Sequence, residues 1–291
     1  MRSERSSPLL RCSARNPFPP FPPYLPFARE LHDTVTDVSK SPERIAGMFD
    51  AIAGRYDLLN HILSGGIDRG WRTRAIRSLE LTGRERILDL CTGTGDLAIA
   101  AARAQPSAAR VVGVDFSGAM LRVGDHKLRG ARLDNRIAMV QGDATRIPLG
   151  DASVDAVTIG FGIRNVERMD EACAELHRVL KPGGRLAILE FAVPTTPVIS
   201  TLYGWYLNRV LPLVGRALSR NNAAYDYLPA SIGTFATPDE FVKILRQAGF
   251  SAISSIRLTF GSVILYTARR SEERGLHDLF TSRNPKARAP G

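Results

Sequence analysis

Asp89-Leu90-Cys91-Thr92-Gly93-Thr94-Gly95-Asp96 joins a short apolar run to a helical pattern. Glycines at such a junction allow a tight turn and let a ligand approach the backbone, where a helix N-terminus offers unpaired N–H groups. The next apolar run ends in Asp115, 26 residues after Asp89, where a carboxylate can accept both hydroxyls of a ribose. Phe116 beside it joins the candidate set. Gln141-Gly142-Asp143-Ala144 follows the third run, where a side chain can hydrogen-bond an adenine amino group. Together these residues point to nucleoside binding. Gly93-x-Gly95-x-x-Ala98 alone also fits a dinucleotide fingerprint, so an NAD-dependent oxidoreductase is the rival reading. Asp89 and Asp96 flank the loop, and carboxylates there suit a ligand bearing a cationic sulfonium and an amino-acid group rather than a pyrophosphate. A plainer role as a loop cap competes for Asp89, and Lys181-Pro182-Gly183-Gly184 reads as a structural turn.

The elements that must position these residues follow one pattern. Apolar runs at Arg86–Leu90, Arg110–Asp115, Ile137–Gln141, Val154–Ile159 and Arg185–Glu190 alternate with helical patterns at Ala98–Ala104, Ala119–Arg129 and Asp170–Leu180. Strands apolar throughout, separated by helices, predict a parallel sheet covered on both faces. Pro238–Ala248 reads as a helix capped by Thr237 and stopped by Gly249, and Ser254–Phe260 with Ser262–Ala268 reads as a terminal antiparallel hairpin. The fold expected is a doubly wound, mostly parallel seven-stranded α/β sheet. Residues 1–40 hold seven of the 18 prolines and read as a disordered extension. Residues 41–268 form the catalytic domain, with 200–232 as a helical lid, and 269–291 read as a disordered basic tail.

Composition excludes several classes. No apolar run reaches the roughly 18–20 residues that cross a bilayer as a helix. Cys12, Cys91 and Cys173 supply neither a disulfide framework nor zinc-ligand spacing, which predicts no metal and a reducing, cytoplasmic compartment. The two terminal segments supply +5 of the net charge of +10. What remains is a mixed surface rather than the concentrated basic patch of a nucleic-acid binder.

With the loop, Asp115 and Asp143 in order after three strands, the chain resembles the class I S-adenosylmethionine-dependent methyltransferases, whose fold is Rossmann-like. After the fourth strand it carries Gly160-Phe161-Gly162-Ile163-Arg164-Asn165, not the Asn/Asp-Pro-Pro-aromatic motif of amino-methylating enzymes. Cys91 and Cys173 are badly placed for cytosine-C5 chemistry. Four segments closely resemble the ubiquinone/menaquinone-biosynthesis C-methyltransferases: Met48–Arg72, Gly160–Asn165, Leu189-Glu190-Phe191 and Tyr225-Asp226-Tyr227-Leu228-Pro229-x-Ser231-Ile232. The resemblance covers about residues 43–268.

It implies S-adenosylmethionine as cofactor and methylation of a ring carbon on a polyprenylated quinol, with demethylmenaquinol preferred over the benzoquinol or phylloquinone-type step. By the match of motifs, the family's cofactor contacts fall on Thr94, Asp115, Asp143 and Ala144; the reading of the loop and strand ends adds Asp89, Gly93, Gly95, Phe116 and Gly160 to the candidate cofactor set. Gly160 departs from the Ser of many relatives. A quinol carbon becomes nucleophilic when a neighbouring hydroxyl loses its proton, and Arg164 is the first candidate for stabilising that phenolate, with Asn165 second. Asp57, His61, Tyr203 and Tyr225 are further candidates. Ser200–Ser219 reads as an amphipathic lid that admits the lipid tail and rests on an anionic bilayer. The expected contacts are the lipophilic quinol, the inner membrane surface and a second copy of the chain, with no nucleic acid.

Overall fold

The structure, a computed structural model, describes residues 40–105, 110–210, 213 and 223–272, without the side chains of 42, 59, 62, 63 and 223–226. The proline-rich extension and most of the expected basic tail lie outside these residues. Seven strands, β1 Arg86–Leu90, β2 Arg110–Asp115, β3 Ile137–Gln141, β4 Val154–Gly160, β5 Leu180–Phe191, β6 Phe250–Leu258 and β7 Val263–Arg270, form one sheet of order β3-β2-β1-β4-β5-β7-β6. β1 to β5 pair in parallel, and β7 runs antiparallel between β5 and β6. The doubly wound reading therefore holds.

Helices cover both faces, as the strands' apolarity on both sides requires. On one face α3 (Asp68–Ser78), α4 (Asp96–Ala104) and α5 (Gly118–Gly130) bury Trp71, Ala75, Leu97, Ala101 and Leu128. On the other, α6 (Met169–Val179) and α9 (Pro238–Gln247) bury Cys173, Leu176, Phe241 and Leu245. Three elements stand over the C-terminal ends of the parallel strands: α1 (Pro42–Ile52), α2 (Tyr56–Leu63) and the segment from α7 (Pro197–Trp205) through a π-helical turn (Tyr206–Val210) to α8 (Ala223–Gly233). Ligands of open α/β sheets bind at that end.

Three boundaries differ from expectation. β5 begins at Leu180, and Lys181–Gly184 is an excursion within it, where pairing jumps from Val154–Leu180 to Ala156–Arg185. The tail expected from residue 269 gives up its first two residues to β7, because Arg269 and Arg270 pair with Ser251 and Phe250 and Arg270 donates to the carbonyls of Arg178 and Leu180. β6 starts four residues earlier than the hairpin pattern suggests, since an irregularity between Ser251 and Ser254 breaks its alternation.

Candidate functional site

The glycine loop is built by backbone conformation first. Cys91, Gly93 and Gly95 all have positive φ, at 55°, 55° and 82°. A Cβ at Gly95 would lie 2.5 Å from the Met139 Cε, and one at Gly124 on α5 would meet the same atom, so either substitution would push the Met139 side chain aside. Asp89 clamps the turn from below. It accepts from the Thr92 hydroxyl at 2.6 Å, the Thr158 hydroxyl at 2.7 Å and the Ala98 N–H at 3.1 Å. Burial pushes its carboxyl up to about 6, against the pull of those donors.

Above the loop lies a cavity of about 150 Å³. Gly93, Asp115, Phe116, Asp143, Ala144 and Gly160 of the expected cofactor set line it. Asp115 accepts from the Gly93 N–H at 2.8 Å and the Ser117 N–H at 2.9 Å, which fixes its carboxylate at the rim, and burial raises its pKa. Asp143 receives the Thr145 N–H and hydroxyl on Oδ1 alone. Its Oδ2 accepts no hydrogen bond among the described residues and is available to an exocyclic amine. The glycine cradle, the carboxylate of Asp115 at the rim and Asp143 with its hydrogen bonds on Oδ1 fit S-adenosylmethionine.

Three of the expected contacts lie outside the lining of this cavity. Asp89 is sealed beneath the loop at 1% exposure, and neither Thr94 nor Gly95 lines the cavity. Thr94 points to the far side, donating to Asp57 and accepting from Lys127 at 3.2 Å. Gly95 serves the packing on Met139.

A second, larger cavity of about 270 Å³ adjoins the first. Phe49, Tyr56 and Phe161 line both and form the neck between them. Its wall is mostly aromatic and aliphatic: Phe161 and Phe191 stack at 4.3 Å, and Trp71 meets both rings edge-on at 5.8 and 6.5 Å. Arg164 lines this cavity at 4% exposure. Its Nη1 is 2.9 Å from Glu190 Oε1, its Nε donates to Ser231 at 3.2 Å, its backbone N–H donates to Glu190 Oε2, and its Cζ stands 5.3 Å over the Phe191 ring. Nη2 has no acceptor among the described residues. A buried ion pair of this kind is a fixed, net-neutral donor rather than a free cation. Asn165 lines the first cavity and accepts from the Tyr227 hydroxyl, which belongs to the second, at 3.1 Å. Lys40 also lines the first cavity, its pKa lowered by burial and by the Arg164 charge while Glu190 opposes the shift.

Of the further catalytic candidates, Tyr203 lines the second cavity, with burial raising its hydroxyl pKa. Asp57 lines neither cavity. Its carboxylate is taken by Lys127 at 2.6 Å and by Thr94, contacts that tie α2 to the loop. Lys127 also bridges to Asp96, which pairs with Arg72 at 2.8 Å, which in turn pairs with Asp68 at 2.6 Å. His61 sits at the end of this chain, 3.3 Å from Asp68, and faces neither cavity. The Tyr225 side chain lies outside the described residues. Sequence reasoning assigned no role to Phe49, Tyr56, Trp71, Glu190 or Tyr227. Glu190 carried a usable signal, a lone acid in the otherwise apolar run Leu186–Phe191.

Comparison with known proteins gives this geometry its context. The model of the ubiE/COQ5 methyltransferase family matches residues 36–270. The chain is 44% identical over 233 residues to a protein of Geobacter sp. (strain M21) named ubiquinone/menaquinone biosynthesis C-methyltransferase UbiE, covering 80% of this chain and 99% of that one. It is 49% identical over 224 residues to the protein of that name in Syntrophotalea carbinolica, covering 77% and 93%. The demethylmenaquinone methyltransferase of Bacteroides fragilis strain YCH46 is 41% identical over 245 residues, covering 84% and 99%. Among solved structures, a putative S-adenosylmethionine-dependent methyltransferase of Methanococcus maripaludis superposes with a TM-score of 0.56 at 20% identity, covering 84% of this chain and 99% of that one. The [4+2]-cyclase SpnF does so at 0.60 and 18%, covering 81% and 98%. A cyclase on the same fold illustrates that the fold alone does not set the reaction.

Proposed function

The chain belongs to the ubiE/COQ5 methyltransferase family, and from that membership we propose that it methylates a ring carbon of a polyprenylated quinol, demethylmenaquinol being the preferred acceptor. It is an S-adenosylmethionine-dependent C-methyltransferase, which sets the oxidoreductase reading aside. The observation that supports the quinol is the pairing of a nucleoside cavity with an aromatic one through the shared neck of Phe49, Tyr56 and Phe161. A planar ring bearing a lipid tail suits the second chamber better than a charged or nucleic-acid substrate. The names of the relatives in Bacteroides and Porphyromonas support the naphthoquinol ring, and the joint ubiquinone/menaquinone names keep the benzoquinol as the alternative.

Bound S-adenosylmethionine supplies an activated methyl on a sulfonium. Asp115 would hold the ribose hydroxyls and Asp143 the adenine amine, with Phe116, Ala144, Gly93 and Gly160 as walls. Arg164 would hold the quinol oxygen while its proton, and afterwards that of the methylated ring carbon, passes to solvent. Its Nη2 is the group left to donate to a developing phenolate, and Glu190, Ser231 and the Phe161 carbonyl fix the guanidinium so that no reorganisation is required during the reaction. Asn165, oriented by Tyr227, stands at the junction of the cavities as a second hydrogen-bonding group. The aromatic wall excludes water and presents the ring carbon toward the neck. The quinol's tail implies work at the inner membrane surface. Among the described residues no helix is long and apolar enough to cross a membrane.

The test is transfer of labelled methyl from S-adenosylmethionine to demethylmenaquinol and to a demethoxyubiquinol-type acceptor in detergent. Labelled menaquinol is the expected product. Cofactor binding with no transfer to either ring would retain the fold and overturn the quinol.

A further inference from the structure

The helix α7 has two apolar faces with different neighbours. Tyr203, with Tyr206 and Leu207 of the π-turn that follows, lines the second cavity. Val198, Leu202 and Trp205, at i, i+4 and i+7, are 78%, 64% and 58% exposed. Across the same cavity the β6–β7 turn presents Phe260 at 79% exposure, held there with φ of 56°. Thr259 beside it lines the cavity and accepts from the Trp71 Nε1 at 2.8 Å. Ile67, at the start of α3, also lines the cavity and is 49% exposed. On the α7 side, Gly261 abuts Pro194 and Ala192 donates to the Ser262 carbonyl at 3.0 Å. The exposed apolar residues therefore ring one opening. Soluble monomers rarely leave such a patch uncovered.

Charge identifies what covers it. Residues 191–225 and 241–271 contain no Asp or Glu, and both stretches carry arginines. Arg209, four residues after Trp205, and Arg257, three before Phe260, are exposed. An apolar rim flanked by cations and free of carboxylates matches an anionic bilayer, whose headgroups attract arginine while the acyl boundary accepts Trp, Leu and Phe. We propose that this rim is a membrane-docking face, with α7 and the Phe260 turn inserted at the headgroup level and the second cavity opening directly into the lipid. The proposal rests on the lipid-tailed quinol reading and names the surface through which that substrate arrives.

The experiment is co-sedimentation of the full chain with vesicles of phosphatidylcholine alone and with added phosphatidylglycerol. Neither Trp205 nor Phe260 lines a cavity, so Trp205→Ser/Phe260→Ser is the test variant, with its thermal melt and S-adenosylmethionine binding measured alongside. The expected result is binding to the anionic vesicles that weakens with salt and falls roughly tenfold or more in the variant. Methylation of a vesicle-embedded long-tailed quinol should fall in parallel, while a short-tailed quinol in solution reacts at the parental rate. Equal vesicle binding by parent and variant overturns the proposal. So does light scattering that finds a parental dimer which the variant dissociates, since a second copy then covers the face. Vesicle binding that requires these residues in a protein that methylates no quinol retains the docking face and overturns the substrate reading.

Discussion

Arg164 and Glu190 set the clearest expectation for a single side chain. Arg164→Lys keeps a cation against the buried Glu190 but loses the Nη2 donor, so kcat should fall on the order of 10²–10³-fold with S-adenosylmethionine affinity little changed. Single-turnover methyl transfer checks this, and a parental rate would remove Arg164 from the chemistry. Arg164→Ala is the poorer probe, because an unpaired Glu190 would destabilise the fold by roughly 3–5 kcal/mol. Asp143→Asn keeps an acceptor for the Thr145 N–H and hydroxyl but puts a donor in place of Oδ2, and should weaken cofactor binding about tenfold in calorimetry with little effect on the melt. The positions of Asp115, at the end of β2, and of Asp143, two residues beyond β3, were legible in the sequence because both follow apolar strands at the edge where ligands of such sheets bind. Asp57 was not. Its side chain is claimed by Lys127, 70 residues away, and no local pattern reports such a partner.

Loops and strands make their own demands. Gly95→Ala places a Cβ both in the left-handed region and against Met139, which should cost roughly 1–3 kcal/mol in urea unfolding. Met139→Ala in that background relieves the contact but not the φ, so recovery should be partial. Before β1, Glu85 closes a turn by accepting the Thr82 N–H and hydroxyl and the Gly83 and Arg84 N–H groups. Burial works against its ionised form, but these donors prevail and hold the carboxyl down at about 2, below its ordinary 4.5. Because the folded pKa is depressed, the stabilisation is complete above pH 4.5 and is lost as pH falls toward 2. Glu85→Gln should therefore be about 2–3 kcal/mol less stable at neutral pH, and the gap should close under acid. The strands themselves were readable because burial on both faces makes them apolar throughout. The ends of β5 and β6 were not, because each is interrupted by a register shift that imitates a turn.

At the level of the molecule, the two cavities share walls, and one ion-pair chain runs from the far side of the glycine loop to the second of them. Lys127, Asp57, Asp96, Arg72 and Asp68 tie the glycine loop to α2 and α3, and Asp68 and Arg72 line the second cavity. Lys127→Met should loosen both sites together. We expect a severalfold weaker cofactor affinity and a raised KM for the quinol at nearly unchanged kcat. A change in only one of the two would show that the chain does not couple them. The doubly wound order could be anticipated from the alternation of strands and helices, whereas the second cavity could not, since its lining comes from segments as distant as Met48 and Ser262. The sheet order has a consequence for how the protein is made. β7 is the last strand in the chain yet lies inside the sheet, between β5 and β6. On the ribosome, β1 to β4 can assemble as soon as they emerge, but β5 keeps an open edge and β6 has no partner until Arg270 is synthesised. A nascent chain therefore exposes Leu186, Ile188 and Leu189 along an unpaired strand until β7 has emerged, which makes that interval the point at which chaperones would be needed.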